Sequence, residues 1–454
     1  MSNSVHCPAL LIAAPASGQG KTTVVAAIAR YHQRLGRKVR VFKTGPDFID
    51  PMIHERASGE PVYQLDLWMV GEEQSKQLLF EAAQEADLIL IEGVMGLFDG
   101  DPSSADLAIR FGVPVAAVID ASAMAQTFGA VAHGLENYCA DLSFTGVIAN
   151  RVASDGHGKM LEASLGDSQQ WLGGLPRSEE ITLPERHLGL YQAGDINDLE
   201  KRINAAADLI ASTNLSELPS AVAFSPCGEG LSTNKYLAGK SIAVAKDAAF
   251  SFVYRANLNL LKAMGAELVF FSPLDDAELP EADSLYIPGG YPELYLDQLS
   301  ANKTLHKAIQ QHYEEGKPIV AECGGMLYLL ESIADKENHR SEMVGIIPAS
   351  ASMQQRLGGL GLQGASLPEG ELRGHTFHYS TFDVVHDDSG SCDLVPEFEC
   401  IAQRYPYEKP GEGIIRSKGM LASYIHWYFP SNPEAAAKLF LSSETGGVTF
   451  GEKK

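Results

Sequence analysis

Two sets of residues in this chain have the types and spacing of reactive groups. The first is residues 10–23, LLIAAPASGQGKTT, where an apolar run breaks into a glycine-bearing turn and ends on Lys-Thr-Thr. Gly18 and Gly20 let backbone N–H groups turn inward around phosphate oxygens, as for ATP. Lys21 can reach the β- and γ-phosphates, and the hydroxyl of Thr22, which Thr23 follows, can ligate Mg²⁺. Pro15 stands where the first glycine of the phosphate-loop pattern would be. Two acidic segments suit the same chemistry. KTGPDFIDP places Asp47 and Asp50 just past an apolar run, and LILIEGVMGLFDG places Glu92 at the end of another, with Asp99 in the loop beyond. Magnesium takes one or two carboxylates besides phosphate oxygens and water. Thr22, Asp47 and Glu92 are therefore the candidate metal set, with Asp50 as the alternative carboxylate, and Asp50 and Asp99 are candidates for the substrate. Asn150 ends VIANRV, where its amide could read adenine. In GGLPRSEEITLPERHLGL, Arg177, Arg186 and His187 form a candidate anion clamp.

The second set surrounds a cysteine. PIVAE, residues 318–322, reads as a strand, and Cys323-Gly324-Gly325 follows it directly before a helical apolar pattern. A strand-to-helix turn exposes the sulfur at a helix N-terminus, which is expected to favour thiolate, and the Gly324 N–H can stabilise an oxyanion. A second turn, YIPGGYPE, offers Gly289 and Gly290 as further oxyanion donors. His426, in ASYIHWYF, is the candidate base, and His375 and His378 in RGHTFHYS compete with it.

These residues need strand ends to hold them, and the chain supplies strands in the right order. From Lys21 to Leu35 apolar residues recur at helical spacing, and Gly36 supplies a stop. Strands are expected at residues 39–42, 87–91, 113–119 and 144–149, with room for a crossover helix between each pair. Pro, Ser, Gly and Asn accumulate over residues 212–239, where a linker is expected. The alternation resumes at residues 242–245, 268–271, 284–287 and 318–321. The expected fold is thus α/β: a parallel-sheet phosphate-loop domain over residues 1–211, and a second α/β domain over residues 240–454.

Composition narrows the partners. A formal net charge of −23 over 454 residues excludes nucleic acid and an anionic membrane as principal partners, since either would repel the chain. Six cysteines are scattered without a C-x-x-C pair, which fits reduced thiols in a cytoplasm. The N-terminus lacks a basic region before its short apolar run, and no apolar run is long enough to span a bilayer.

Taken together, the motifs resemble the cobyrinic acid or hydrogenobyrinic acid a,c-diamide synthases of cobalamin biosynthesis over nearly the full length. SGQGKTT, KTGPDFIDP, IEGVMGLFDG and LPERHLGL resemble the dethiobiotin-synthetase-type phosphate-loop fold. PGGYPE, AECGGMLYL, RGHTFHYS and ASYIHWYF resemble a class I glutamine amidotransferase of the cobyrinate/cobyrate type. The resemblance implies that Cys323 is a glutaminase nucleophile activated by His426. Tyr428 stands where the wider class places a glutamate, and the resemblance implies that this subtype works with Cys and His alone. It implies ATP-dependent amidation of the c and then the a acetate of a corrinoid. Asp50, Asp99, Arg186 and His187 would then serve the corrinoid and acyl-phosphate site, with glutamine as nitrogen donor. The oligomeric state stays open, a homodimer included. A nickel-sirohydrochlorin a,c-diamide synthase shares these motifs. Cobyric acid synthase carries a Lys-Pro-Gln-Asn type segment in place of KTGPDFIDP. A partition-type ATPase switch would share the phosphate loop without needing the Cys-Gly-Gly turn.

Overall fold

A computed structural model describes residues 4–186, 189–190, 192–227, 234–383, 398–407 and 409–442. It divides into two compact units, Met1–Gly230 and Leu231–Lys454.

The first unit is a parallel sheet of β1 (Val5–Ala13), β2 (Val39–Thr44), β3 (Tyr63–Leu65), β4 (Leu88–Glu92), β5 (Val115–Asp120), β6 (Phe144–Val152) and β7 (Trp171–Pro176). Their order is β3-β2-β4-β1-β5-β6-β7. Every residue of LILIE in β4 is buried, as a strand covered on both faces requires. Within β1 the two faces alternate: Leu11 joins one core cluster with Ile91 and Ile119, while Leu10 and Ile12 join another with Val24 and Ile28. Val24 and Ile28 belong to α1 (Lys21–Arg34), which packs its apolar stripe on that second face. Helix α2 (Ile49–Ser58) follows β2. The expected strands all occur, with their ends shifted by a few residues.

The expected linker is corrected at both ends. Within residues 212–239, Asn214–Ser216 form a 3-10 turn with Leu215 buried. Strand β8 (Ala221–Phe224) then pairs antiparallel with the start of β1, from Val5 opposite Phe224 to Pro8 opposite Ala221. Its exposed–buried alternation is a proper edge-strand pattern, but four residues among prolines and serines are too few to stand out as periodicity. At the other end, Leu237 is fully buried in the core of the second unit.

In the second unit a ten-stranded sheet contains β9 (Ser241–Ala245), β10 (Glu267–Phe271), β11 (Ser284–Ile287), β12 (Ile319–Glu322), β13 (Gly359–Leu367), β14 (Gly370–His378), β15 (Phe398–Arg404), β16 (Lys409–Ser417), β17 (Met420–Ser423) and β18 (His426–Tyr428). The order is β10-β9-β11-β12-β17-β16-β15-β13-β14-β18. Neighbours are parallel from β10 to β17 and antiparallel beyond. A smaller four-stranded sheet completes it. The parallel strands β9 to β12 were expected from their apolar runs, and β17 was not. The glycine-rich antiparallel half, such as GLGLQGASL in β13, carries no such run.

Candidate active site

In the first unit the phosphate loop leaves β1 and enters α1 through Gly20, whose φ of 89° is left-handed. A side chain at Gly20 would also collide with Asn150, its Cβ falling 2.1 Å from Nδ2. Asn150 itself braces the loop: Nδ2 donates to the Gln19 carbonyl (2.9 Å), while Oδ1 accepts from the Arg151 N–H (2.9 Å). The amide expected to read adenine thus has a structural task in the loop. Gly18, Gly20, Lys21, Thr22 and Thr23 line a cavity of about 340 Å³, which Asp47, Asp50, Glu92 and Asn150 also border. Lys21 Nζ donates to the carbonyls of Met95 (2.6 Å) and Ala16 (3.4 Å). Burial, and then Lys43, lower its pKa. Asp99 is exposed outside this lining, with Oδ2 accepting from the Gly96 N–H at 2.9 Å. Ser178, Ile181 and Thr182, from the 173–190 segment that carries the expected anion clamp, form one wall. Arg177 is exposed, Arg186 lies in a two-residue strand, and His187 lies outside the described residues.

Beneath the loop lies a buried charge cluster whose cation the motif reading did not single out. Lys43, in β2, directs Nζ to Asp50 (2.7 Å), Glu92 (3.0 Å) and Asp47 (3.7 Å). Burial alone would lower the Lys43 pKa, but Asp50, Glu92 and Asp47 overcome it and raise it. Burial likewise would raise Glu92, yet Lys43 and His54 hold it below the usual carboxylate range. Both Glu92 oxygens are engaged. Oε1 accepts from Thr22 Oγ1 (3.0 Å) and Lys43, and Oε2 contacts His54 Nε2. Asp47 Oδ1 accepts from the backbone N–H groups of Ile49 (2.8 Å) and Asp50 (3.1 Å) at the start of α2. Burial and the Asp50 carboxylate raise its pKa. Asp50 Oδ1 is buried and unpaired. That orphaned acceptor, beside Thr22 and Asp47 in the same cavity, is a donor set that fits a magnesium ion sharing phosphate oxygens.

The second unit builds its site on neighbouring strand ends. Strands β12 and β17 are parallel partners, Glu322 opposite Ser423, and the Cys323 N–H donates to the Ser423 carbonyl at 2.7 Å. Cys323 follows β12 directly, and His426 opens β18 three residues beyond β17. Cys323 has φ 45° and ψ −108°, a strained turn of the kind that presents a nucleophile above a sheet. The Gly289–Gly290 turn fits between the two. A Cβ at Gly289 would fall 2.2 Å from His426 Cε1, and one at Gly324 would fall 2.9 Å from the Gly290 nitrogen. This turn is held from outside by the Phe252 N–H, which donates to the Gly289 carbonyl at 2.9 Å. The competing histidines are otherwise employed. His375 stacks on His426 at 4.9 Å and shares a hydrogen bond with the Tyr254 hydroxyl at 2.7 Å. His378 stacks on Tyr424 at 3.6 Å, with its nitrogens 2.9 Å from the Ser380 carbonyl and 3.3 Å from Glu412.

Residues 10–190 match the CobQ/CobB/MinD/ParA nucleotide binding domain, and residues 241–434 match the CobB/CobQ-like glutamine amidotransferase domain. Over 436 residues, 96% of this chain and 99% of the relative, the chain is 60% identical to the hydrogenobyrinate a,c-diamide synthase of Stutzerimonas stutzeri (strain A1501). This chain belongs to the a,c-diamide synthase family. Another member, the hydrogenobyrinate a,c-diamide synthase of Pseudomonas aeruginosa, is 56% identical over 96% of this chain and 97% of its own length. The cobyrinate a,c-diamide synthase of Herminiimonas arsenicoxydans is 47% identical over 95% of this chain and 96% of its own.

One chemical expectation for this a,c-diamide synthase family member is corrected. The turn was expected to favour thiolate, but burial, and then Glu293, push the Cys323 thiol up from its ordinary range. The helix behind it, α3 (Gly324–Tyr328), is a single turn with little dipole to offset this. His426 is driven the other way, down to about 3, by burial and then by His378. Both shifts favour the uncharged form, thiol at Cys323 and neutral imidazole at His426. Glu322 also escaped the motif reading. It ends β12 as Glu92 ends β4, each a lone carboxylate closing an apolar strand, and that shared pattern is the signal that could have found it.

Proposed function

We propose that this protein is a glutamine-hydrolysing, ATP-dependent amidoligase that converts the a and c acetates of hydrogenobyrinic or cobyrinic acid to amides in cobalamin biosynthesis. The observation that carries the reading is the pairing, in one family-matched chain, of a phosphate-loop cavity over buried acids with a strained Cys323 turn beside His426. The names of the relatives favour this substrate over nickel-sirohydrochlorin. The amidotransferase half, with its cysteine turn, argues against a partition-type ATPase switch.

A carboxylate is a poor acyl donor, so it is first phosphorylated by ATP, yielding ADP and an acyl phosphate. Lys21 turns from the Met95 carbonyl to the phosphates, and the N–H groups of Gly18, Gly20 and the start of α1 receive their oxygens. Thr22 with Asp50 or Asp47 would hold Mg²⁺, which when bound neutralises phosphate charge. Glu92, tied to Lys43 and His54, orients Thr22. Asp99 and the basic residues of the 173–190 segment are the proposed contacts to the acidic corrinoid. In the second unit, neutral His426 takes the Cys323 proton as the sulfur attacks the carboxamide carbon of glutamine. The N–H groups of Gly290 and Gly324 stabilise the oxyanion, His426 returns the proton to the leaving ammonia, and water then releases glutamate from the thioester. Ammonia attacks the acyl phosphate, expelling phosphate and leaving the amide.

The test separates the two chemistries. Cys323→Ala should lose glutamine-driven diamide formation and keep synthesis from ammonium salts at mildly alkaline pH, whereas Lys21→Ala should lose both. Glutamine-driven synthesis persisting in Cys323→Ala would sink the reading.

A further inference from the structure

Strand β18, which carries His426, lies at the far edge of the ten-stranded sheet and pairs there with β14, not with the nucleophile strand β12. Its alignment with Cys323 therefore needs a tie other than the backbone ladder. Glu322 supplies one. Its carboxyl is buried, 1% exposed, with Oε1 accepting from the Trp427 N–H at 3.2 Å and Oε2 accepting from the Tyr286 hydroxyl at 3.0 Å. Each contact reaches a different part of the site. Cys323 is the next residue after Glu322, Trp427 is the next after His426, and Tyr286 lies in β11 three residues before Gly289. We propose that Glu322 is the positioning residue of the glutaminase site, a side-chain tie that holds nucleophile, base and oxyanion turn in one frame. The inference rests on the glutaminase reading above.

The surrounding bonds extend the same frame. Asn257 Nδ2 donates to the Trp427 carbonyl (2.7 Å) and its Oδ1 accepts from the Phe429 N–H (2.9 Å), so β18 and the residue after it are gripped by side chains. A carboxyl taken out of water is costly, and an apolar residue at this position would serve packing better. Burial raises the Glu322 pKa well above the usual carboxylate range, against partial relief from Tyr286 and Trp427. Its hydrogen bonds, to one backbone N–H and one hydroxyl, are ones that glutamine can imitate. Its contacts run to the backbone and to a tyrosine, so its task is geometry and not proton transfer.

The experiment uses the full-length protein with Glu322→Leu, Glu322→Gln and Tyr286→Phe. Two activities are followed: glutamate release from glutamine, resolved into kcat and KM, and ammonia-driven amidation of hydrogenobyrinic acid. Glu322→Leu should lower the glutamine kcat by about 100-fold, the scale of an ångström of misplacement, while KM moves by less than about threefold. Ammonia-driven synthesis should be retained. Glu322→Gln should keep glutamine turnover within about fivefold of the parent, and Tyr286→Phe should lose about tenfold, the scale of one hydrogen bond. Parental glutamine kcat in Glu322→Leu, or a Glu322→Gln protein as impaired as Glu322→Leu, overturns the proposal. If Glu322→Leu loses ammonia-driven synthesis as well, it has lost its fold, and Tyr286→Phe decides: parental glutamine kcat there overturns the proposal. No glutamate release by the parent protein would overturn the glutaminase reading, and the positioning role with it.

Discussion

Single residues in the two units show how one side-chain type is set to opposite tasks by its neighbours. Glu92 and Glu322 each close an apolar strand, yet Lys43 and His54 hold the first below the usual carboxylate range while burial raises the second above it. Replacing Glu92 by Gln should therefore depress diamide synthesis by about two orders of magnitude, as should Asp47→Asn and Asp50→Asn, the scale of losing a transition-state electrostatic contact. Glutaminase should survive in all three. Parental rates of diamide formation under limiting Mg²⁺ would refute these assignments. Lys43→Met goes further, because it strands Asp50 and Glu92 as buried charges without their cation. A loss of about 3–5 kcal/mol is expected, seen in calorimetry as an earlier transition of the first unit, and an unchanged transition would contradict the charge count. Lys21, the acidic strand ends and Cys323 were legible because each sits in a motif whose residues are adjacent in sequence. Lys43 and His54 were not, since Lys43 meets Glu92, 49 positions away, through the register of β2 against β4, and His54 reaches the same carboxylate, 38 positions away, from α2.

The same division runs through the elements. Strands buried on both faces announce themselves as apolar runs, so most of the parallel strands were readable, while β3, β7 and β17, most of the antiparallel half of the second unit and the edge strand β8 were not. Turns were readable where glycine is obligatory for space. Gly289→Ala would push a methyl carbon to 2.2 Å from the His426 ring. The ring must move, so glutamine-driven synthesis should fall by about 100-fold, the penalty for ångström-scale misplacement. Ammonia-driven synthesis should be kept. Activity assays with the two nitrogen sources check this, and equal loss in both would show that the turn does more than seat the base.

For the whole molecule, proton uptake offers a test that needs no substrate. The folded-state pKa of His426 is depressed to about 3 by burial and then His378, His306 is depressed to about 4 by burial and then Lys303, and burial and His426 lower His375 in the same direction. The unfolded chain, with histidines near 6.5, then binds more protons than the folded one between about pH 4 and 6.5. Stability from these groups is complete above about pH 6.5 and is lost as pH falls through that window. The Tm of the second unit should drop across it, and His426→Asn should make the drop shallower; identical slopes for parent and variant would count against a buried neutral imidazole. Among the described residues no helix is long and apolar enough to cross a membrane. The pairing of β8 with the start of β1 also fixes where the halves can be separated. A first half cut at residue 211 would leave Val5–Pro8 as a bare hydrogen-bonding edge on the strand that feeds the phosphate loop, an invitation to intermolecular pairing. A fragment carried past Phe224 keeps that edge covered, and should stay monomeric where the shorter one aggregates.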